Sequence, residues 1–186
     1  MPEAFLGDGL IYEEALPVVW TPGPLAEGIA LVRLNHDNHQ LLGAESSLDE
    51  VRVQDALKDE SPALIHELQR LEYKVNILLR LTAEISLRNS GLPAPQPVRL
   101  TPQAMEWRAA NTPAVGTTGQ VAVYVNTALP QPVRIPATVV GERTEEGARV
   151  AQLRFSGLTD AVVEQMEKLI FRHHRRLVAV ARAGAT

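Results

Sequence analysis

The sequence predicts an α+β protein with a helical block over residues 21–90, an antiparallel β-barrel over 97–156 and a closing helix over 159–182. Three observations predict this class. An apolar heptad repeat occupies the helical block, several short alternating segments follow it without intervening helices, and an amphipathic segment ends the chain. Short strands that succeed one another in this way are typical of an antiparallel barrel.

Composition excludes several classes of protein. The 186 residues are enough to bury a core, and the absence of cysteine excludes disulfides and thiolate chemistry. A formal net charge of −4 argues against nonspecific binding to nucleic acid, which requires a basic surface. The N-terminal segment does not resemble a secretory signal, and no apolar run reaches the roughly 18 residues that span a bilayer. We therefore expect a soluble, cytoplasmic protein that neither inserts into membranes nor binds nucleic acid.

The first elements are a strand and a helix. The strand is predicted over residues 8–20, where apolar residues lie between glycines and prolines. A proline-rich stretch follows that cannot lie inside a helix, so the first helix is predicted to begin near Leu25. Ser47 and Glu50 have the spacing of a capping box, which predicts a further helix start at this point.

The longest predicted helix begins at Pro62, because Ser61 is a suitable N-cap and proline suits the first helical position. It ends near residues 89–91, before several prolines. At 1.5 Å per residue it would be roughly 40 Å long, more than the core of so small a chain requires. An apolar stripe with alternating steps of three and four, which we call the seam, comprises Leu57, Ser61, Leu64, Leu68, Leu71, Val75, Leu78, Thr82 and Ile85.

The seam must be covered, and the sequence leaves two ways of covering it. One is self-association through a coiled coil. Apolar flanks at Ile65, Leu79 and Leu81 widen the stripe beyond a two-stranded seam, so three or four helices are expected and a tetramer is favoured. The other is an intrachain hairpin with the helix at 25–45, whose partner face would comprise Leu31, Leu34, Leu41 and Leu48. A four-helix arrangement satisfies both.

The second half of the chain alternates between apolar and polar residues. Strands are predicted over residues 120–126, 133–140 and 148–155, with a turn at 145–147 between the last two. Pro136 lacks an N–H group, which assigns its strand to a sheet edge or a bulge. One face of the closing helix, predicted to cover an open barrel end, carries Val163, Met166, Ile170, His173 and Leu177.

This strand order, followed by residues 155–159 and the helix AVVEQMEKLIFRHHRR, resembles the PilZ family. The resemblance covers residues 97–180 and the first strand near 10–20. It implies a six-stranded barrel whose first strand, in residues 1–20, is separated from the remainder, in 96–186, by an inserted helical oligomerisation segment over 21–95. The inserted heptad helices are similar to those of an atypical PilZ subgroup that forms tetramers through long helices.

PilZ domains bind cyclic di-GMP through an R-x-x-x-R segment before the barrel and a [D/N]-x-S-x-x-G element. The resemblance assigns Arg99 to the Asp/Asn position, Thr101 to the Ser position and Ala104 to the Gly position. Threonine preserves the hydroxyl, but arginine removes an acceptor and alanine adds a methyl group. No arginine precedes the first strand, and each lost charge-assisted hydrogen bond costs roughly 1.5–3 kcal/mol. The resemblance therefore implies weak or no binding of cyclic di-GMP, and no cofactor.

Other polar residues are assigned structural roles. The run at 172–176 contains R-x-x-x-R spacing, but a solvated basic face near a helix C-terminus explains it; an anionic partner is the alternative. His36 and His39 have no evident third ligand, so no metal is predicted. Glu13 and Glu14 point to opposite faces of a strand and cannot act as an acid–base pair, although either can pair with an arginine. Trp20 and Trp107 are predicted in the core or at the barrel lid, and no catalytic motif is present.

The resemblance implies a noncatalytic, homo-oligomeric adaptor in bacterial signalling or in the regulation of type IV pili and motility. Its partners would be other copies of itself and a bacterial signalling or pilus-biogenesis protein. Two alternatives remain open. The chain is an effector that binds cyclic di-GMP through Arg99, Arg134 or the basic closing helix, with or without a partner that supplies the missing arginines, or it is a scaffold without ligand or client.

Overall fold

The structure, a computed structural model, describes residues 5–50, 62–90, 92–108, 112–125 and 131–183. Within these ranges the chain forms seven strands and three helices, which confirms the α+β class. In chain order the elements are β1 Tyr12–Leu16, β2 Val18–Pro22, α1 Gly28–Glu50, α2 Pro62–Ser90, β3 Gln96–Leu100, β4 Ala104–Arg108, β5 Thr118–Val123, β6 Val133–Glu145, β7 Ala148–Phe155 and α3 Asp160–Ala183. None of the helices so described combines the length and apolar character needed to cross a membrane.

The strands form one antiparallel sheet in the order β1-β3-β4-β7-β6-β5-β2. Its two edges, β1 and β2, are consecutive in the chain and are separated only by Pro17, whose carbonyl accepts a hydrogen bond from the Tyr124 N–H at 3.2 Å. One bent segment therefore lines both edges and curves the sheet into a half-barrel. The predicted count of six strands is wrong because the single strand expected over 8–20 breaks at this proline, which has no N–H for a ladder.

Strand β6 lies inside the sheet, paired with β5 on one side and β7 on the other, so the prediction of a sheet edge for this strand is wrong, whereas the alternative prediction of a bulge is met in the same strand but not at Pro136. The Pro136 carbonyl accepts a hydrogen bond from the Ser156 N–H at 2.9 Å. The nitrogen and the carbonyl of a strand residue face the same neighbouring strand, so the Pro136 nitrogen also faces β7. It lies beyond Phe155, the last residue of β7, and its missing N–H therefore removes no hydrogen bond from the β6–β7 ladder. The irregularity of this strand lies instead between Val139 and Gly141.

The hairpin of β6 and β7 forms where it was predicted, although β6 continues past the predicted end at residue 140 as far as Glu145. Glu146 and Gly147 have φ angles of 49° and 76°, as the two central residues of a type I′ turn require. The bounds predicted for β7 are those observed. By contrast, the strand predicted over 120–126 begins at Thr118 and ends at Val123, and Asn126 lies outside the described residues.

Helix α1 differs from its prediction at both ends. It begins at Gly28 rather than near Leu25, and it continues through Ser47 to Glu50, so the helix start predicted from the capping box is wrong. Backbone of the β-half holds this helix in place through two buried asparagines. The Asn35 amide donates to the Gly157 carbonyl at 2.8 Å and its oxygen accepts from the Thr159 N–H at 3.0 Å. These contacts fix α1 beside the start of α3.

The second asparagine, Asn38, binds the start of β6. Its amide donates to the Arg134 carbonyl at 2.6 Å, and its oxygen accepts from the Arg134 N–H at 3.0 Å. Both hydrogen bonds satisfy backbone groups that β6 would otherwise leave without a partner on this side. One turn later, Leu42 is buried in the same core as the sheet.

Helix α3 closes the half-barrel, as predicted, although with a different set of side chains. Its buried residues are Val162, Met166, Leu169 and Ile170. Val163 is only half-buried and Leu177 is exposed, because the helix extends past the sheet it covers. The predictions for the tryptophans are confirmed: Trp107 is buried and Trp20 packs against the core.

Candidate functional site

Two of the three predicted ligand positions flank the turn between β3 and β4: Thr101 directly follows β3, and Ala104 is the first residue of β4. The Thr101 N–H donates to the Ala104 carbonyl at 2.9 Å, and the Ala104 N–H donates to the Thr101 hydroxyl at 3.1 Å. The same hydroxyl donates back to the Ala104 carbonyl at 3.2 Å. Both residues are buried. The structure therefore brings them together, but it uses the threonine hydroxyl to close the turn.

The third predicted position, Arg99, points toward carboxylates of the neighbouring strands. Its Nε donates to Oε1 of Glu13 on β1 at 2.7 Å, and its Nη1 donates to Oε2 of Glu106 on β4 at 3.0 Å. The prediction that Glu13 or Glu14 pairs with an arginine is thus confirmed. Burial of the guanidinium lowers the pKa of Arg99, but the carboxylates of Glu13 and Glu106 raise it by more. The pKa of Arg99 is therefore above the ordinary arginine value.

Glu106 is the centre of this cluster. Besides Arg99, it accepts hydrogen bonds from Arg143 Nε at 3.0 Å, Arg143 Nη2 at 2.8 Å and Gln152 Nε2 at 3.0 Å. Its side chain is only 5% exposed. Burial raises the pKa of this carboxyl, but the hydrogen bonds from Arg143 and Gln152 and the charges of Arg143 and Arg99 hold its pKa below the ordinary value. The group is therefore a buried carboxylate that is fully hydrogen-bonded.

Gly141 makes room for one of these donors. A Cβ atom at this position would lie 2.5 Å from Oε1 of Gln152. Glycine at the irregular part of β6 thus allows the Gln152 amide to approach Glu106, while Arg143 reaches the same carboxylate from two residues further along β6.

The depression around this cluster is small, at about 260 Å³. Three arginines line it, and each is paired with a carboxylate: Arg99 and Arg143 with Glu106, and Arg108 with Glu146 at 3.1 Å. A phosphate that approached this face would therefore have to displace an existing ion pair.

Sequence reasoning missed Glu106, Arg143 and Gln152. A signal for the first was present, because a turn at 101–104 places Glu106 directly opposite Arg99. Gln152 lies opposite Glu106 on the other neighbouring strand. Finding Arg143 would have required knowledge of the irregular register between β6 and β7.

The remaining candidates have structural roles. Within the described ranges no group of three His, Cys, Asp or Glu residues could hold a metal ion. His36 and His39 lie on the exposed side of α1. His173, from the basic run of the closing helix, stacks on Tyr12 with ring centroids 4.0 Å apart, and its Nε2 lies 3.1 Å from the Glu13 carbonyl. It therefore connects α3 to β1.

The seam is the second candidate site, and most of it lies on α2, which begins at the predicted Pro62. Its Leu64, Leu68, Leu71, Val75, Leu78 and Ile85 side chains are between 37% and 63% exposed. Thr82 is exposed too, and Leu57 and Ser61 lie outside the described residues. Helix α1 does not cover these described seam residues, so the intrachain hairpin is wrong. The single chain leaves a long apolar stripe in contact with water.

A family model described as "Atypical PilZ domain, cyclic di-GMP receptor" matches residues 42–183. The chain belongs to the atypical PilZ domain family. The resemblance drawn from the sequence is thereby confirmed. Among solved structures, this PilZ chain is similar to a pathogenic protein from Xanthomonas campestris, described as a new tetrameric PilZ domain self-assembled via an unusual helical bundle. The identity is 23%, 92% of each chain is covered, and the TM-score is 0.73. No curated protein matches the chain.

Proposed function

We propose that this atypical PilZ protein is a noncatalytic, cytoplasmic adaptor of bacterial signalling that assembles through its seam, as a tetramer, and binds cyclic di-GMP weakly or not at all. The observation that carries the proposal is the exposed stripe on α2. Its client would be a signalling or pilus-biogenesis protein, and several copies of the barrel in one assembly would multiply weak contacts with that client.

The magnitude of seam burial supports self-assembly. Full burial of an aliphatic side chain contributes about 1.5–3 kcal/mol, so covering the exposed half of each described aliphatic seam residue contributes roughly 1 kcal/mol. Association costs about 4–15 kcal/mol, which one side chain cannot offset, whereas the six of each copy together contribute about 12 kcal/mol when two copies associate, which lies within that range. The exposed flank at Leu81 favours more than two helices. The tetrameric helical bundle of the Xanthomonas campestris protein supports the same number of copies.

The state of Arg99 supports weak ligand binding. A phosphate would have to replace two charge-assisted hydrogen bonds of about 1.5–3 kcal/mol each, including one to a buried carboxylate that cannot be left unpaired. A loss of about 5 kcal/mol reduces micromolar affinity to almost none. The Thr101 hydroxyl offers little compensation because the β3–β4 turn already uses it.

The assembly is tested by light scattering on the double variant Leu71→Glu with Leu78→Glu. We expect the mass of a single chain with an unchanged β-sheet signal in circular dichroism, because two charges per copy cannot be buried in the bundle. Tyr73→Glu is the matched control, since Tyr73 is as exposed as the seam but lies on the opposite side of α2. An oligomer that survives the double substitution would refute the seam.

A second candidate function is favoured by the description of the family as a cyclic di-GMP receptor. In that case the ligand would bind at a site that does not use Arg99, because Arg99 is already paired with Glu13 and Glu106. It would bind through Arg134 or at a site completed by a partner. Calorimetry with cyclic di-GMP on the purified chain decides between the two. We expect no measurable heat of binding, whereas stoichiometric uptake that is lost in Arg134→Ala would establish the effector.

A further inference from the structure

The segment before the first strand crosses one end of the sheet; we call residues 5–11 the strap. The strap leads into β1 at Tyr12, which pairs with Leu100 on β3. At its other end the Phe5 ring lies under the guanidinium of Arg154 on β7, with 5.9 Å between Cζ and the ring centroid. Two strands, β3 and β4, separate β1 from β7, which amounts to about 14 Å at roughly 4.8 Å per strand. Seven residues can span about 23 Å, so the strap passes over both strands with length to spare for its bends.

The pair of residues beneath the strap is Thr101 and Ala104, on either side of the β3–β4 turn. Their chain neighbours Leu100 and Met105 point into the core. Side chains alternate between the two faces of a sheet, so Thr101 and Ala104 point outward, and Ala104 lies opposite Arg154. These two outward residues are nevertheless only 5% and 6% exposed. The strap, which ends at Arg154, is the segment that covers them.

We propose that the strap is an autoinhibitory lid, which closes the outer side of the Thr101–Ala104 pair and opens without unfolding the barrel. The inference goes beyond the proposed assembly and does not depend on the seam. Thr101 and Ala104 are two of the positions that the family resemblance assigns to a ligand. Whatever binds there has to displace the strap first, which is an obstacle separate from the pairing of Arg99.

Side chains fasten the strap to the sheet. Leu6 is 9% exposed, and Phe5 is half-buried with its ring in cation–π contact with Arg154. Residues 5–11 add no strand to the sheet, because β1 begins only at Tyr12. A segment held by a few side chains opens at a lower free energy than strands that are paired on both sides. The strap is therefore separable from the barrel that it covers.

Glycines between the fastened residues and β1 provide a hinge. Gly7 has a φ angle of 73°, in the left-handed region that glycine adopts without strain. A Cβ atom at Gly7 or at Gly9 would meet no atom within 4 Å, so close packing does not explain either glycine. Both lie between Leu6 and Tyr12, where a hinge of the strap has to lie.

Cysteine accessibility tests the proposal, because the chain has no cysteine of its own. Ala104→Cys places a thiol under the strap, and its rate of reaction with a maleimide is measured in the whole chain, with and without the double substitution Phe5→Ser with Leu6→Ser. Two neighbouring positions on β6 are the matched controls. Val140→Cys reports an exposed site, at 41%, and Val139→Cys reports the core, at 0%.

With the native strap, we expect the thiol at position 104 to react much more slowly than the thiol at position 140. Burial of a side chain the size of Leu6 corresponds to about tenfold or more in an equilibrium constant, so the double substitution should raise the rate at 104 by at least about tenfold. The rate at 139 should not change. Arg154→Gln should also raise the rate at 104, whereas Arg154→Lys should raise it less because lysine keeps a cation near Phe5.

Equal rates at 104 and 140 with the native strap would show that the pair is not covered, and an unchanged rate at 104 after the double substitution would show that another segment covers it. Either result overturns the proposal. Acceleration at 139 by the same factor also overturns it, because the strap would then be an inseparable part of the barrel. Light scattering on the same samples reports the assembly separately, so failure of the lid leaves the seam standing.

Amide hydrogen exchange keeps the test decisive if Ala104→Cys does not fold. In the chain without cysteine, the double substitution should lower the protection of the Thr101 amide, which bonds to the Ala104 carbonyl, and leave that of Leu153 on β7 unchanged. Unchanged protection at Thr101, or an equal loss at Leu153, would contradict a separable lid.

Discussion

Glu106 is the residue whose replacement tests the polar cluster most sharply. Glu106→Gln preserves the shape of the side chain but removes its charge and places an NH₂ group against the donors of Arg99 and Arg143. Removing one member of a buried ion pair costs about 3–5 kcal/mol. Because Arg99 and Arg143 are 41% and 30% exposed and water can solvate them in part, we expect a smaller loss of unfolding free energy, about 2–4 kcal/mol.

The assay is urea unfolding followed by tryptophan fluorescence, since Trp20 and Trp107 pack in or against the core. Both proteins are compared at one chain concentration, because the proposed self-assembly would contribute to apparent stability. Glu145→Gln is the control: it also pairs with Arg143, at 3.1 Å, but is 48% exposed and should cost less than about 1 kcal/mol. Equal losses in the two variants would refute the assignment of Glu106 as the centre of the cluster.

Three further predictions concern the same elements. Because the pKa of Glu106 is lowered in the folded state, its ionisation stabilises the fold at pH values above the ordinary glutamate pKa of about 4.3. This stabilisation is lost as the pH falls through the folded-state pKa. The urea midpoint should therefore decline more steeply in acid for the wild type than for Glu106→Gln. Gly141→Ala should displace Gln152 from Glu106 and cost about 1–2 kcal/mol, and a double-mutant cycle with Gln152→Ala should show that the two losses are not additive. Asn38→Ala should lower the unfolding free energy by about 2 kcal/mol, because both backbone groups of Arg134 lose their partner. Amide hydrogen exchange should then show faster opening of α1. Protection of α1 equal to that of the wild type would contradict the role of Asn38 in holding α1 against β6.

The sequence predicted the elements that local chemistry determines. Pro62 begins α2 as expected because proline suits the first turn of a helix, and β7 has its expected bounds because strict alternation after a glycine-containing turn specifies the second strand of a hairpin. The exposed seam follows directly from the heptad spacing. Each of these features depends on residues that are neighbours in the chain.

Features that depend on tertiary contacts were missed. The capping-box pattern at Ser47 is a local signal, but α1 continues through it. The strand breaks at Pro17 because one segment of the chain lines both edges of the sheet. Asn35 and Asn38 hold α1 in place through backbone groups that lie about a hundred positions further along the chain. The carboxylate cluster likewise requires the register of several strands, which no short pattern encodes.

The molar mass of the chain in dilute solution tests the central claim most directly. If copies of the chain cover the seam, light scattering should give four times the 20.3 kDa of one chain, and the value should persist on dilution into the micromolar range. A mass of 20.3 kDa at every concentration would contradict the account, because the apolar stripe on α2 would then be exposed in the native protein.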